Sequence, residues 1–102
     1  MSEVRRLVLD VLKPHQPTML VLADKLGDLE GIHGVDITLI EIDNKVENIK
    51  ITLEGDDVDF QDVAEVVQDA GGSIHSIDKV SAGKRIIDEV ETPQDSGASW
   101  MR

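Results

Sequence analysis

The sequence contains no cysteine and no tyrosine, one phenylalanine and one tryptophan. Without cysteine, disulfides, thiolate metal sites and cysteine nucleophiles are all excluded, a pattern that fits a reducing cytoplasm. With so few aromatic rings there is no platform on which bases would stack. Basic residues are scarce as well: ten Lys and Arg stand against twenty-one Asp and Glu, a formal net charge of −11. Such a surface repels phosphate backbones and anionic membranes over about a Debye length, so neither nucleic acid nor a membrane is an expected partner. The acidity itself reads as solubility in a salty or hot cytoplasm. Nowhere do about 18 uncharged apolar residues run together, and the opening Met-Ser-Glu-Val-Arg-Arg has no apolar leader core. A soluble cytoplasmic protein is expected.

What is present is a regular alternation of strand and helix patterns. Residues 4–13 alternate, with Leu7, Leu9 and Val11 on one side and Val4, Arg6, Val8, Asp10 and Leu12 on the other. Pro14 and Pro17 stop this strand, Thr18 supplies a cap, and Met19, Leu22, Ala23, Leu26 and Leu29 follow at helical spacing. Residues 35–43 and 47–54 read as two strands of a hairpin around Asn44-Lys45-Val46. A second helix starts at the natural N-cap Asp59, with Val58 and Val63 as a hydrophobic staple, and its stripe is Phe60, Val63, Ala64, Val67 and Ala70. Gly71 stands where a left-handed cap belongs, and residues 73–80 form the last strand. Right-handed crossovers then predict an α+β domain over residues 1–81, with an antiparallel sheet in the order 4-1-3-2 and both helices on one face. That is the ferredoxin-like split βαβ sandwich. Residues 82–102 form an extension, with a fifth strand or short helix at 85–92 and then a flexible tail.

The uncovered sheet face holds the first candidate site. Apolar parity places Val35, Ile37 and Leu39 opposite Leu53 and Ile51 toward the helices, leaving Thr38, Ile40, Lys50 and Thr52 outward. A three-residue loop at 44–46 would set Thr38 against Thr52, Ile40 against Lys50, and Asp36 against Glu54. Facing carboxylates destabilise a sheet unless something compensates. With Asp10 on the neighbouring strand, Asp10, Asp36 and Glu54 become a candidate oxygen ligand set for a hard cation, Ca²⁺ or Mg²⁺. A two-residue change of register, or plain solvation, would remove the conflict and the site together. The acidic loop 54–59 lacks the glycine and terminal glutamate spacing of an EF-hand and reads as solvated.

The second candidate is the loop between the first strand and first helix, where Lys13, His15 and Thr18 are placed to receive an anion or small effector beside a helix N-terminus. A structural turn shaped by two prolines is the alternative there. Histidines 15, 33 and 75 have no i, i+4 pairing, and Ser73, Ser76 and Ser81 lack the Gly-x-Ser-x-Gly turn of a hydrolase. Strict alternation would also send His75 and Ser76 to opposite faces. No catalytic residue is therefore assigned.

Leu-Lys-Pro-His-Gln-Pro at 12–17, Ile-Glu-Ile-Asp at 40–43, Gly-Gly-Ser-Ile-His-Ser-Ile-Asp-Lys-Val at 71–80, Ala-Gly-Lys at 82–84 and Thr-Pro-Gln-Asp at 92–95 run in order along the chain. In these blocks the sequence resembles the archaeal family catalogued as domain of unknown function 211, over roughly residues 4–95. The resemblance implies a ferredoxin-like fold, a homo-oligomer and no established activity. It also implies allosteric regulation of a metabolic enzyme, homoserine dehydrogenase, in parallel with the ACT domains of the same strand order. A looser likeness to heavy-metal-associated domains ends at 13–19, which contains no Cys-x-x-Cys, so soft-metal transport is disfavoured.

The expected function is a non-enzymatic, oligomeric binding or regulatory module whose ligand is a hard divalent cation or small effector. Its partners are copies of itself and a metabolic enzyme. Segment 85–92 would add to or cover a neighbouring sheet edge. Two alternatives stand beside this reading: a Mg²⁺-dependent hydrolase or phosphoryl-transfer enzyme using the three carboxylates, and a purely structural assembly protein.

Overall fold

The structure, a computed structural model, describes residues 3–87. The elements are β1 (Val4–Pro14), α1 (Met19–Gly27), β2 (Ile32–Ile42), β3 (Val46–Gly55), α2 (Phe60–Asp69) and β4 (Ser73–Ala82). All strand pairs are antiparallel, in one sheet of order β2-β3-β1-β4. This is the expected order counted from the opposite edge, and the architecture is α+β. Residues 83–87 carry neither helix nor strand. The rest of the segment expected at 85–92, and the tail after it, lie outside the described residues.

Capping and patterning account for both helices. The Thr18 hydroxyl accepts from the Val21 N–H at 3.4 Å, and one Asp59 carboxylate oxygen accepts from Gln61 and Asp62. Each cap satisfies donors that a first helical turn leaves without partners. Leu22 and Leu26 of α1 and Val63, Val67 and Ala70, at and just after α2, enter one cluster with Leu7, Leu9, Val11, Ile49, Ile51 and Leu53 of the two central strands. The apolar parity of β1 and β3 thus defines the helix-facing side of the sheet. Val58 joins the same cluster, as a staple partner of Val63 should. Phe60, expected in the α2 stripe, stays partly exposed at the first position of the helix. Gly71 takes φ +81° as the chain leaves α2, where a side chain would be strained.

The hairpin corrects the expected register. Asp43 and Val46 close a turn around Asn44 and Lys45, with Asp43 N–H donating to the Val46 carbonyl at 3.0 Å. The Asp43 carboxylate accepts from the N–H groups of Lys45 and Val46. The loop is therefore one residue tighter than 44–46. A bulge between Leu39 and Glu41 leaves Ile40 without an opposite residue and moves the pairing by one more. The two steps restore parity but displace the ladder by two residues. Asp36 faces Thr52, Thr38 faces Lys50, and Glu54 faces Gly34.

Strand β4 departs from simple alternation. Ile74, Ile77 and Val80, three residues apart, face Val11, Leu9 and Leu7 of β1. Irregularities in the pairing absorb His75 and Asp78 between them, so apolar residues at a spacing of three still meet the helix-facing row.

Candidate functional site

This register separates Asp10 from the other two carboxylates expected to share a cation, whereas Asp36 and Glu54 line one shallow depression with Gly34, Val35 and Thr52. Asp10 faces Lys50 on β3 and Ser76 on β4, and its carboxylate accepts from the Asn48 side-chain amide. Asp36 is exposed on the edge strand beside Thr52. Glu54 sits opposite Arg6, whose Nε donates to its Oε2 at 2.7 Å. Asp10 and Glu54 stand four residues apart along the β1–β3 ladder, about 13 Å. Among the described residues no group of three or more histidines and carboxylates is arranged to hold a metal ion. Asp10 and Glu54 each gain a hydrogen-bonding or oppositely charged neighbour, and Asp36 faces Thr52 in place of Glu54.

The loop residues meet differently. β1 runs on through Lys13 to Pro14, so Lys13 keeps the parity of Val11 and points to the helix-facing side, opposite Glu47. Its side chain is fully buried, and Nζ donates to Glu47 Oε1 at 3.0 Å and to the Pro14 carbonyl at 2.7 Å. His15 spans the gap to the hairpin: Nδ1 lies 3.2 Å from Glu47 Oε2 and Nε2 lies 2.9 Å from the Asp43 carbonyl oxygen. Thr18 is used as the α1 cap. The structure thus joins Lys13 and His15 but gives their donors to a carboxylate of the same chain. The residue missing from the sequence reading is Glu47. Its signal was available: continuing the inward parity of Ile49 and Ile51 by one step places Glu47 opposite Lys13.

The hydrogen bond from Lys13, opposed by burial and reinforced by the hydrogen bond from His15, holds the Glu47 carboxyl below its ordinary value of 4.5. Asp43 is lowered too, first by the Val46 N–H and then by the Lys45 N–H. A carboxyl depressed in the folded state contributes stability that is complete above its unfolded-state value and is lost as pH falls through its folded-state value. Unfolding free energy should therefore decline as pH falls below about 4.5. Urea melts between neutrality and about pH 3 should show a shallower acid decline for Glu47→Gln than for the native chain. Equal declines would separate this cluster from acid unfolding.

A third feature lies at the hairpin end of the sheet. Leu12, Leu39, Ile40, Ile42 and Val46 are large apolar residues left exposed, with Ile40 and Ile42 each more than half exposed. Leu12, Ile42 and Val46 line one shallow depression of about 220 Å³ with Glu41, Asp43 and Asn48. At the opposite edge, Ser76 donates to Asp78 at 2.7 Å, and His75 has no hydrogen-bond partner among the described residues.

A family model described as uncharacterized ArCR, the domain of unknown function 211, matches residues 5–96. The chain belongs to this family. Within it, an uncharacterised protein of Methanocaldococcus jannaschii is 54% identical over 95 residues, which cover 93% of this chain and 98% of that one. The 211 family model thus spans every described strand and helix except the first residue of β1. No described helix is long and apolar enough to cross a membrane.

Proposed function

We propose that this chain is a non-enzymatic module of the ferredoxin-like split βαβ type that assembles with copies of itself and acts as a binding or regulatory unit. Strand order β2-β3-β1-β4 and two helices whose buried stripes join one cluster support the fold reading. The observation that carries assembly is the apolar group at the hairpin end, where Leu12, Ile42 and Val46 stand exposed around a depression and Ile40 is exposed two residues before Ile42 on the same strand. Contiguous exposed apolar surface on a soluble chain marks an interaction site. Edge strands β2 and β4, of 11 and 10 residues, each pair on one side only among the described residues, and long open edges invite pairing with another chain. A second copy is the occupant that brings its own apolar hairpin end, as a closed symmetric contact requires.

Light scattering on the full chain tests this. The expected mass is a multiple of 11.2 kDa, falling toward the monomer in the Ile40→Asp, Ile42→Asp double variant, whose altered side chains are exposed and outside the core. A native chain that runs as a monomer overturns the proposal. The effector in this reading is a small anion or hard divalent cation, and parallel samples with EDTA and with Ca²⁺ or Mg²⁺ show whether a cation changes the assembled mass.

A further inference from the structure

Along β4 an apolar row lies open beside an edge that has no strand partner among the described residues. Ile74, Ile77 and Val80 face Val11, Leu9 and Leu7 on the core side of the sheet. Ile74 is half-buried against the core, whereas Ile77 and Val80 are 51% and 53% exposed. The other edge differs. On β2, Val35 and Ile37 pack against the core, and the exposed Leu39 and Ile42 belong to the hairpin end. α1 also packs along β2 more extensively than α2 does along β4.

The spacing of this row selects what can pair with it. Ile74, Ile77 and Val80 stay on one side because an extra residue is taken up on each side of Ile77, His75 before it and Asp78 after it. Irregularities of this kind put a regularly alternating strand out of step, and they are one means by which natural sheet edges refuse other chains. A second β4 is the exception. The pattern is symmetric about Ile77, with an apolar residue three positions before it and another three positions after. Laid antiparallel with Ile77 against Ile77, two copies of β4 bring Ile74 of each opposite Val80 of the other. Each three-residue interval then meets an interval of the same length, and no side chain changes face.

Charge points the same way. Residues Ser73–Ala82 carry one acid, Asp78, and one base, Lys79, so this strand is neutral on a chain whose net charge is −11. β2 carries Asp36 and Glu41 and neither lysine nor arginine. Two copies meeting by β2 would bring like charges together, while two meeting by β4 do not.

We propose that two copies of this chain pair antiparallel along β4 about a two-fold axis at Ile77, which joins their sheets into one and leaves the helices of both on the same face. The contact is self-complementary, as a two-fold interface requires. It rests on the reading that the chain assembles with copies of itself, and it supplies the strand and the register; the hairpin end is a separate surface. The pairs Ile74–Val80, Ile77–Ile77 and Val80–Ile74 cover the open apolar row. Pairing ends at Gly83, where φ is +115° and the N–H donates to the Glu3 carbonyl at 2.9 Å, so that the chain turns back to the start of β1.

The full native chain tests the register by NMR. In a sample mixing ¹³C,¹⁵N-labelled with unlabelled molecules, isotope-filtered NOEs are expected between Ile74 of one molecule and Val80 of the other. Within one molecule these side chains stand four β1 residues apart, about 13 Å, too far for a direct NOE. A chain without cysteine permits a second readout. Ile77→Cys should be converted almost entirely to a disulfide-linked pair by mild oxidation, because the axis passes beside it. Ser73→Cys and Ser81→Cys should not be linked. Each lies three β1 residues from the axis, which sets its Cα about 20 Å from its symmetry mate, well beyond the roughly 7 Å limit for a disulfide. Filtered NOEs from Ile77 or Val80 to Val35 or Ile37 would mean head-to-tail pairing of β4 with β2 and overturn the proposal. Equal linking at the three positions, or no intermolecular NOE from β4, overturns it as well. If the mass is then still a multiple of 11.2 kDa, assembly through the hairpin end survives alone; a monomer removes both readings.

Discussion

Replacing Lys13 with methionine is expected to lower the unfolding free energy by about 3 kcal/mol or more. The side chain is fully buried, and its ammonium is the principal partner of Glu47, a carboxylate that is itself only 14% exposed. Methionine keeps much of the volume and length but removes the charge, so Glu47 remains desolvated with His15 as its one side-chain partner. The loss then has two parts: the attraction that disappears, and the hydration that Glu47 cannot regain. The second dominates for a buried pair, which is why removing one partner does far more damage than the pair contributes net. Urea unfolding at neutral pH measures this directly, with an unchanged denaturant slope showing that the same surface is exposed.

The double variant Lys13→Met, Glu47→Leu separates those parts. Both charges are gone and the space is filled by apolar side chains, so stability should recover to within about 1 kcal/mol of the native chain. Non-additivity of that size is what a shared, desolvated contact produces. A loss below about 1 kcal/mol for Lys13→Met alone would show that Glu47 is effectively hydrated, and the buried pair would have to be reread as a surface contact.

The same residues show what sequence could and could not deliver. Strand order and both helices were legible because each rests on a periodicity repeated several times: Leu7, Leu9 and Val11 in β1, Val63 and Val67 in α2. Handedness rules then leave few topologies. Register was not legible, because it depends on single residues. Asp43, by accepting two backbone N–H groups, tightens the turn, and Ile40 drops out of the ladder in a bulge. Either change alone would reverse the faces of the hairpin, so apolar parity detects one step but is blind to two. The candidate cation site at Asp10, Asp36 and Glu54 depended on that unseen displacement. The strand was read as residues 4–13 and extends one residue further, a proline being tolerated as its last residue; Lys13, offered to an anion, instead gives its ammonium to Glu47. His15 was offered as an anion ligand near a helix start, and its partners lie 28 and 32 residues away on the hairpin. No local pattern announces contacts of that range.

Gly55→Ala should be at least as damaging, by a different route. Gly55 ends β3 opposite Ile32, and a Cβ there would lie 1.8 Å from the Gly31 carbonyl oxygen and 2.9 Å from Ile32 Cα. Both obstacles are backbone, so no rotamer change relieves them. Nor can Gly31 retreat: it holds φ +88°, its carbonyl accepts from the Asp56 N–H at 3.0 Å, and its own Cβ position is 2.5 Å from the Asp57 carbonyl oxygen. The two glycines let the turn into β2 and the exit from β3 touch backbone to backbone, which anchors the loop that leads to the Asp59 cap of α2. An added methyl must push these strands apart and weaken their last ladder contacts. The expected loss is about 3 kcal/mol or more, at the upper end of overpacking effects, or a fall in Tm of at least roughly 12 °C for a domain of this size. Gly27→Ala is the matched control, because its added Cβ meets nothing within 4 Å and the residue closes α1. That change should be neutral or stabilise by up to about 1 kcal/mol through helix propensity. Thermal melts of the two variants side by side distinguish a steric requirement from a general intolerance of alanine, and a Gly55→Ala protein melting within about 4 °C of the native chain would show that the β2–β3 contact is looser than these distances allow.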